Sequence, residues 1–417
     1  MSWRRYSGAR VPLACVAVLS GLLGGCVGGK GTIAAVAAPP PTANTVTLTV
    51  DAGPPGASGA VNHPYVTVKV CAPGSTSQCA SIDHVLLDTG SWGLRLVGSV
   101  LASHSVKLSA ETDAQGHAIE ECVTFGGGQT WGPGVLADVS LAGETAAKLP
   151  VQIMDDAQTG APAPAGCGDN GTLINDVAGF SANGVLGVGV FAQDCGAACV
   201  SAASPLAIYF SCTAGATGVC TPANVALTSQ VTNPVAMFAS DNNGVIVEFP
   251  PLQNANGDLT AQGKLTIGLG TQSDNAVPLT GLTVLGTDAA GDFSATYQGA
   301  VRPALIDSGS SSYAFDDATI AVCDVGAYIG YYCPAVAPLA VSVVATGRGT
   351  NTGTSTVAFA IADPNTFVAG ATAFTNLGGG AGASNFSFGM PFFYGRKVYV
   401  GISQRVAGIY TGPFYAY

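Results

Sequence analysis

Two segments of this chain carry the same short pattern. Val85-Leu86-Leu87-Asp88-Thr89-Gly90-Ser91 and Ala304-Leu305-Ile306-Asp307-Ser308-Gly309-Ser310 each run an apolar strand into one aspartate, a small hydroxyl residue, a glycine and a serine. One such turn is ordinary, because Asp before Thr-Gly or Ser-Gly closes a local Asx turn. Two copies, each behind an apolar strand and one in each half of the chain, imply a structural dyad. A fold built on that duplication can bring the carboxylates face to face. Two such charges a few ångströms apart cannot both persist, so one pKa rises while the other stays low. The pair can then activate a water and protonate a leaving group without a metal or a covalent nucleophile.

The flanking residues fit that reading. Gly90 and Gly309 are expected to let each backbone turn sharply and approach the partner loop. Thr89 and Ser308 can hydrogen-bond across the two halves and hold the loops rigid. Ser91 and Ser310 can donate to the carboxylates and fix their orientation.

The chain opens on a sorting signal. Arg4, Arg5 and Arg10 precede the apolar run 11–23, which is short for a membrane span and reads as a secretory core. It ends in Leu23-Gly24-Gly25-Cys26, which resembles the bacterial lipobox. That resemblance implies a signal peptide over 1–25, lipidation of Cys26, and an exported outer-membrane lipoprotein facing periplasm or cell surface. An ordinary signal peptide with an incidental cysteine is the alternative. Residues 26–44, with Pro39-Pro40-Pro41, read as a tether. No later segment is a continuous apolar stretch long enough to span a bilayer.

The sequence has twelve cysteines. Setting aside Cys15 and Cys26, the rest are even in number in an exported chain, which favours disulfides. Short spacings suggest Cys71 with Cys79, Cys195 with Cys199, Cys212 with Cys220 and Cys323 with Cys333, leaving Cys122 and Cys167; sequence alone does not fix this connectivity. A metal site is disfavoured, because CxxC is absent and His63, His84, His104 and His117 show no ligand spacing. His63 and His84 read as loop and strand-edge residues. The formal net charge of −11, without a basic patch, argues against nucleic acid as a partner. No Gly-x-Ser-x-Gly or His-Glu-x-x-His motif is present. No cofactor is expected.

The rest reads as β structure. The chain has 57 glycines and 9% charged residues, and its apolar runs are short and broken by turns. Strands are expected at 45–50, 64–70, 84–87, 94–96, 119–125 and 135–141, with a Gly-rich hairpin crown at 126–132. A less ordered section spans 157–184. A hairpin is expected over 233–250, with strands 234–240 and 245–249. Further strands are expected at 264–269, in a hairpin over 282–298, in paired strands over 341–361, and over 385–402. The tail 410–417 is expected to close the second half as a terminal strand. Helices should be few and short.

On these residues the chain resembles the pepsin-like, bilobal aspartic peptidases over most of 62–405. Asp88-Thr89-Gly90-Ser91 with Leu94 and Leu96 is similar to the first active-site loop and its strand. Thr124-Phe125-Gly126 resembles the start of the flap. Gly184-Val185-Leu186-Gly187-Val188-Gly189 resembles the apolar-apolar-Gly element beneath the first loop, and Phe386-Ser387-Phe388-Gly389 resembles its second copy. Val235 to Val247 resembles the inter-lobe strands, and Gly263 to Gly268 the opening of the second lobe. A family of bacterial lipoproteins within that group is suspected.

The resemblance implies an all-β, bilobal fold of two barrel-like lobes, 45–245 and 246–417, with an active-site cleft between them. It implies an endopeptidase in which Asp88 and Asp307 share a water. Phe125 and Trp131 would belong to a flap closing over a peptide or protein substrate, and the chain would act as a monomer. There are departures. The family's flap tyrosine is Phe125 here, its second sub-loop aspartate is Met390, and one aliphatic position is Ser387. A surface lipoprotein that binds peptides without cutting them is the alternative. A glycosidase using two carboxylates has only the carboxylates in its favour.

Overall fold

The computed structural model describes residues 44–158, 160–167, 173–215, 217–324, 326–380 and 385–417. The expected signal peptide, Cys26 and nearly all of the expected tether lie outside these residues. No helix among them is long and apolar enough to cross a membrane. The protein is nearly all β, as the composition implies. Its α-helices among the described residues are two short ones, Gly98–Ser103 and Val177–Phe180.

Among the described residues the strands form a 16-stranded sheet, a 7-stranded sheet and a two-stranded ribbon. The first sheet carries the strand Cys79–Asp88 and the second carries Ala300–Ile306, so each sheet delivers one of the two aspartates.

The two deliveries share one plan. Val85 to Asp88 runs parallel to Gly184–Val188, which is also antiparallel to Trp92–Val97, the strand after the Asp88 turn. In the second sheet Ala304 to Ile306 runs parallel to Phe386–Phe388, which is antiparallel to Tyr313–Ala314. Each aspartate therefore sits at the mouth of a strand–loop–strand whose middle is threaded by a third strand. The threading strands are buried throughout, Gly184–Val188 and Phe386–Phe388 alike. That explains the apolar run of Gly184–Val188 without alternation, since both faces are covered.

A wide apolar core runs through both sheets. It joins Leu87, Leu94 and Leu186 of the first half to Phe293, Ile306, Phe386 and Phe388 of the second. Burying such side chains stabilises a fold by roughly 1.5–3 kcal/mol each. Phe392, Phe393 and Tyr394 belong to this core.

Several sequence expectations change. The strand Glu144–Met154 was not foreseen; it pairs with Gly128–Leu141. Residues 234–240 do not form a strand. Pro234 starts a short 3-10 turn, Pro234–Met237, and Asn233 caps it by accepting from the Val235 N–H. The 282–298 segment is not a hairpin: Val284–Gly286 pairs with Phe414–Ala416, while Phe293–Tyr297 pairs with Ala300–Ile306 and Leu339–Thr346. The tail does close as a strand, wedged between Arg396–Gly401 and Val284–Gly286. The boundary drawn between residues 245 and 246 falls inside the strand Gly244–Phe249, which bonds to Ala261–Ile267 and Arg396–Gly401.

Among the described residues five disulfides join Cys71 to Cys79, Cys122 to Cys167, Cys195 to Cys199, Cys212 to Cys220 and Cys323 to Cys333. Such usage is consistent with an extracellular environment.

Candidate active site

The two Asp loops meet, and their contacts are reciprocal. The Thr89 N–H donates to Ser308 Oγ at 3.1 Å, and the Ser308 N–H donates to Thr89 Oγ1 at 2.9 Å. Each hydroxyl then donates onward to the strand carrying the other aspartate. Thr89 Oγ1 reaches the Ile306 carbonyl and Ser308 Oγ reaches the Leu87 carbonyl, both at 2.7 Å. Both side chains are fully buried. Four buried hydrogen bonds therefore tie the loops together without water, each worth roughly 0.5–1.5 kcal/mol net.

The carboxyl groups are held the same way on each side. Asp88 Oδ1 accepts from the Gly90 N–H at 2.7 Å, and Asp88 Oδ2 accepts from Ser91 Oγ at 2.5 Å. Asp307 Oδ1 accepts from the Gly309 N–H at 3.0 Å, and Asp307 Oδ2 accepts from Ser310 Oγ at 2.6 Å. In each carboxyl, one oxygen is thus fixed by a serine and the other by a glycine amide.

Asp88 and Asp307 also hydrogen-bond each other through their side chains. Burial pushes the Asp88 carboxyl well above the usual carboxylate range. The Asp307 charge and that shared hydrogen bond push it the same way, against the pull of Ser91 and Gly90. A pair so placed can share one proton between two carboxyls. The glycines act through close approach. A methyl group on Gly90 would stand 2.7 Å from Asp307 Cγ, and one on Gly309 would stand 2.7 Å from Asp88 Oδ1. Neither glycine adopts a left-handed backbone, so proximity rather than turning is what they provide.

The strands Ala118–Phe125 and Gly128–Leu141 form a hairpin with Gly126-Gly127 as its two-residue turn. The expected crown is shorter than 126–132, because Gln129 to Gly132 are laddered to Glu121 to Thr124. Phe125 lies at the tip, half-buried. Its ring packs edge-on against Phe180 at 5.2 Å and lies 5.7 Å from the Arg95 guanidinium. Trp131 points elsewhere. Its side chain is buried beside Cys122, Cys167 and Phe210, and its indole N–H donates to the Ala161 carbonyl. The expectation that Trp131 serves a flap over the site is corrected by that commitment: its one donor is used inside the molecule.

Arg95 went unnoticed in the sequence. It is 1% exposed, on the strand that follows the Asp88 loop. Its fork meets Glu121 of the hairpin at 2.7 and 3.2 Å, and Asp194 at 3.0 Å. Burial opposes its charge, but Glu121 and Asp194 outweigh that cost and raise its pKa. The ion pair ties the strand behind Asp88 to the hairpin. An arginine inside the apolar run Leu94-Arg95-Leu96 was the available signal, because a buried cation needs a carboxylate partner.

Among the described residues no group of His, Cys, Asp or Glu could hold a metal ion. His63 is half-buried next to Tyr65, and desolvation of its ring lowers its pKa to about 4. His84 pairs with Asp51 and Asp83.

No curated protein matches the sequence. The crystal structure of aspartic proteinase from Irpex lacteus is similar in backbone over 89% of this chain and 96% of its own. The identity is 16% and the TM-score 0.45. Residues 40–417 match a family described as "Protein of unknown function (DUF3443)", and the chain belongs to that family.

Proposed function

We propose that this protein is an exported aspartic-type endopeptidase of pepsin-like, bilobal design, with a cleft between its two lobes. Asp88 and Asp307 hold a water between them. The ionised carboxyl takes a proton from the water as it attacks the scissile carbonyl, and the protonated one donates to the carbonyl oxygen. Proton return to the leaving nitrogen then completes hydrolysis. Thr89, Ser308, Ser91, Ser310, Gly90 and Gly309 keep the two carboxyls in register. Phe125 sits at the tip of the hairpin that closes over an extended peptide. The observation that carries this reading is the reciprocal pairing of the two loops around Asp88 and Asp307, with the Asp88 carboxyl raised by burial and by its neighbour's charge.

The protein is further proposed to act as a monomer on peptide or protein substrates, anchored to the outer membrane through lipid on Cys26. Labelling of the expressed chain with a fatty-acid probe, lost in Cys26→Ala, tests the anchor. For the chemistry, wild type and Asp88→Asn are incubated with a peptide library between acid and neutral pH. New fragments with wild type alone support the reading. Equal fragmentation by both proteins overturns it.

A second reading is a peptide-binding protein that keeps this fold without turnover. Phe125 favours it, because a phenyl ring at the hairpin tip has no hydrogen bond to donate. Capture of library peptides without fragments at every pH would select it.

A further inference from the structure

Thr89 has one backbone group that the loop-to-loop bonds leave over, its carbonyl oxygen. That oxygen is buried and accepts from the Tyr415 hydroxyl at 3.1 Å. The contact breaks the symmetry of the site, because the described hydrogen bonds give the Asp307 loop no tyrosine of this kind. Tyr415 is 2% exposed and lies in the strand Phe414–Ala416, opposite Val400 on one side and Leu285 on the other. Its backbone is paired on both edges and its ring is buried, so the ring has little freedom to move.

The ring also faces the other half of the site. It packs edge-on against Phe293 at 6.1 Å, and Phe293 stacks on Phe388 at 5.8 Å. Phe388 gives its carbonyl to the Asp307 N–H at 3.0 Å. Phe293 itself lies opposite Ala304 on the strand that leads to Asp307. One side chain therefore touches the first loop through its hydroxyl and the support of the second through its ring. Burial, then the charges of Asp307, Asp88 and Asp292, push the phenol pKa well up, so the hydroxyl remains a donor across the whole acid and neutral range.

We propose that Tyr415 is a positioning residue that sets the Asp88 loop against the Asp307 loop, with the Thr89 carbonyl as its handle and Phe293 and Phe388 as its footing. Its consequence for turnover rests on the peptidase reading above; its consequence for carboxyl geometry does not. Only the hydroxyl needs to be removed to test it. Tyr415→Phe keeps the ring, the packing and the strand, whereas loss of the whole ring would empty a core position and confound the result.

The experiment is carbon-13 NMR titration of the aspartate carboxyls in wild type and Tyr415→Phe. The Asp88 signal is assigned by its loss in Asp88→Asn, and half-buried Asp113, remote in sequence from both loops, serves as internal control. The expected result is a displacement of the Asp88 midpoint by at least about half a pH unit, with Asp113 unmoved. On a cleaved peptide, kcat per titrated active site should fall about tenfold, with KM held within about twofold. A role in packing alone would lower the melting temperature but leave the Asp88 midpoint and kcat where they were, and that result overturns the proposal. If wild type cleaves nothing, the peptidase reading fails, and the Asp88 midpoint alone decides the role of Tyr415.

Discussion

The α-carbon of Gly90 lies so close to Asp307 that a methyl group there would stand 2.7 Å from the Asp307 Cγ, and Gly309 repeats this contact with Asp88. The two carboxyls can meet only because both positions lack a side chain. Gly90→Ala should therefore displace the Asp307 carboxyl. Misplacement of a reacting group by about 1 Å costs roughly 100-fold in rate, so cleavage should fall by about that factor. Overpacking should cost about 1–3 kcal/mol in urea denaturation and leave the protein folded. Steady-state kinetics beside a denaturation curve reads both. Full activity in Gly90→Ala would mean that the carboxyls tolerate being apart.

The raised Asp88 carboxyl has a defined consequence for stability. In the folded protein it keeps its proton at pH values where the unfolded chain has already lost it. Its stabilising contribution is complete below the ordinary aspartate pKa and disappears as pH rises through the folded value. Glu111, raised to about 7, and Glu120, raised to about 8, both chiefly by burial, act in the same direction. Wild-type stability should decline from acid to mildly alkaline pH. Asp88→Asn should decline less over the same window, and Glu120→Gln should flatten the part extending to about pH 8. Melting temperatures at half-unit pH intervals give the comparison. Parallel curves for wild type and Asp88→Asn would contradict the shift.

Ser308 is the more exacting half of the loop junction to lose. Its hydroxyl accepts from the Thr89 N–H and donates to the Leu87 carbonyl, both in the dry interior. Ser308→Ala leaves two buried polar groups without partners, and each costs about 1–3 kcal/mol. The variant should unfold at distinctly lower urea concentration than wild type. Ser308→Thr restores the hydroxyl and should recover most of the loss, a comparison that separates the hydrogen bonds from the volume.

Arg95 supports the hairpin by a different route. Its contacts to Glu121 and Asp194 are buried on all sides. Breaking a buried pair from one side typically costs about 3–5 kcal/mol, because the remaining charges stay behind without a partner. Arg95→Met should show such a loss. Arg95→Lys should show much of it too, since an ammonium cannot span both Glu121 oxygens and Asp194 in one plane. Chemical denaturation of both variants measures it; a lysine variant as stable as wild type would show that the charge alone suffices.

The centre of the site was more legible in the sequence than its supports. Asp88 and Asp307 declared themselves because a duplicated loop leaves the same letters twice. The crossing bonds of Thr89 and Ser308 followed from residue type, and the paired spacing of most cysteines matched the disulfides formed. Trp131 was misjudged for a physical reason. A glycine-rich stretch looks like a loop, but cross-strand bonds extend the hairpin ladder to Gly128 and turn the indole into an apolar cluster. Tyr415 was invisible for another reason. Its partner Thr89 lies far away in sequence, and nothing local in Phe414-Tyr415-Ala416 distinguishes a brace from ordinary core. The 234–240 segment misled because its apolar residues suit a strand, while Pro234 and the Asn233 cap favour a turn.

The central claim is that Asp88 and Asp307 work as one unit around one water. It is tested most directly by measuring kcat/KM for wild type, Asp88→Asn, Asp307→Asn and the double variant on one cleaved peptide. Each single substitution should reduce the rate by roughly 100- to 10,000-fold. The double variant should fall no further than the worse single, because a unit that has lost one member has little left to lose. Near-normal cleavage by either single variant, or losses that multiply in the double variant, would contradict the account.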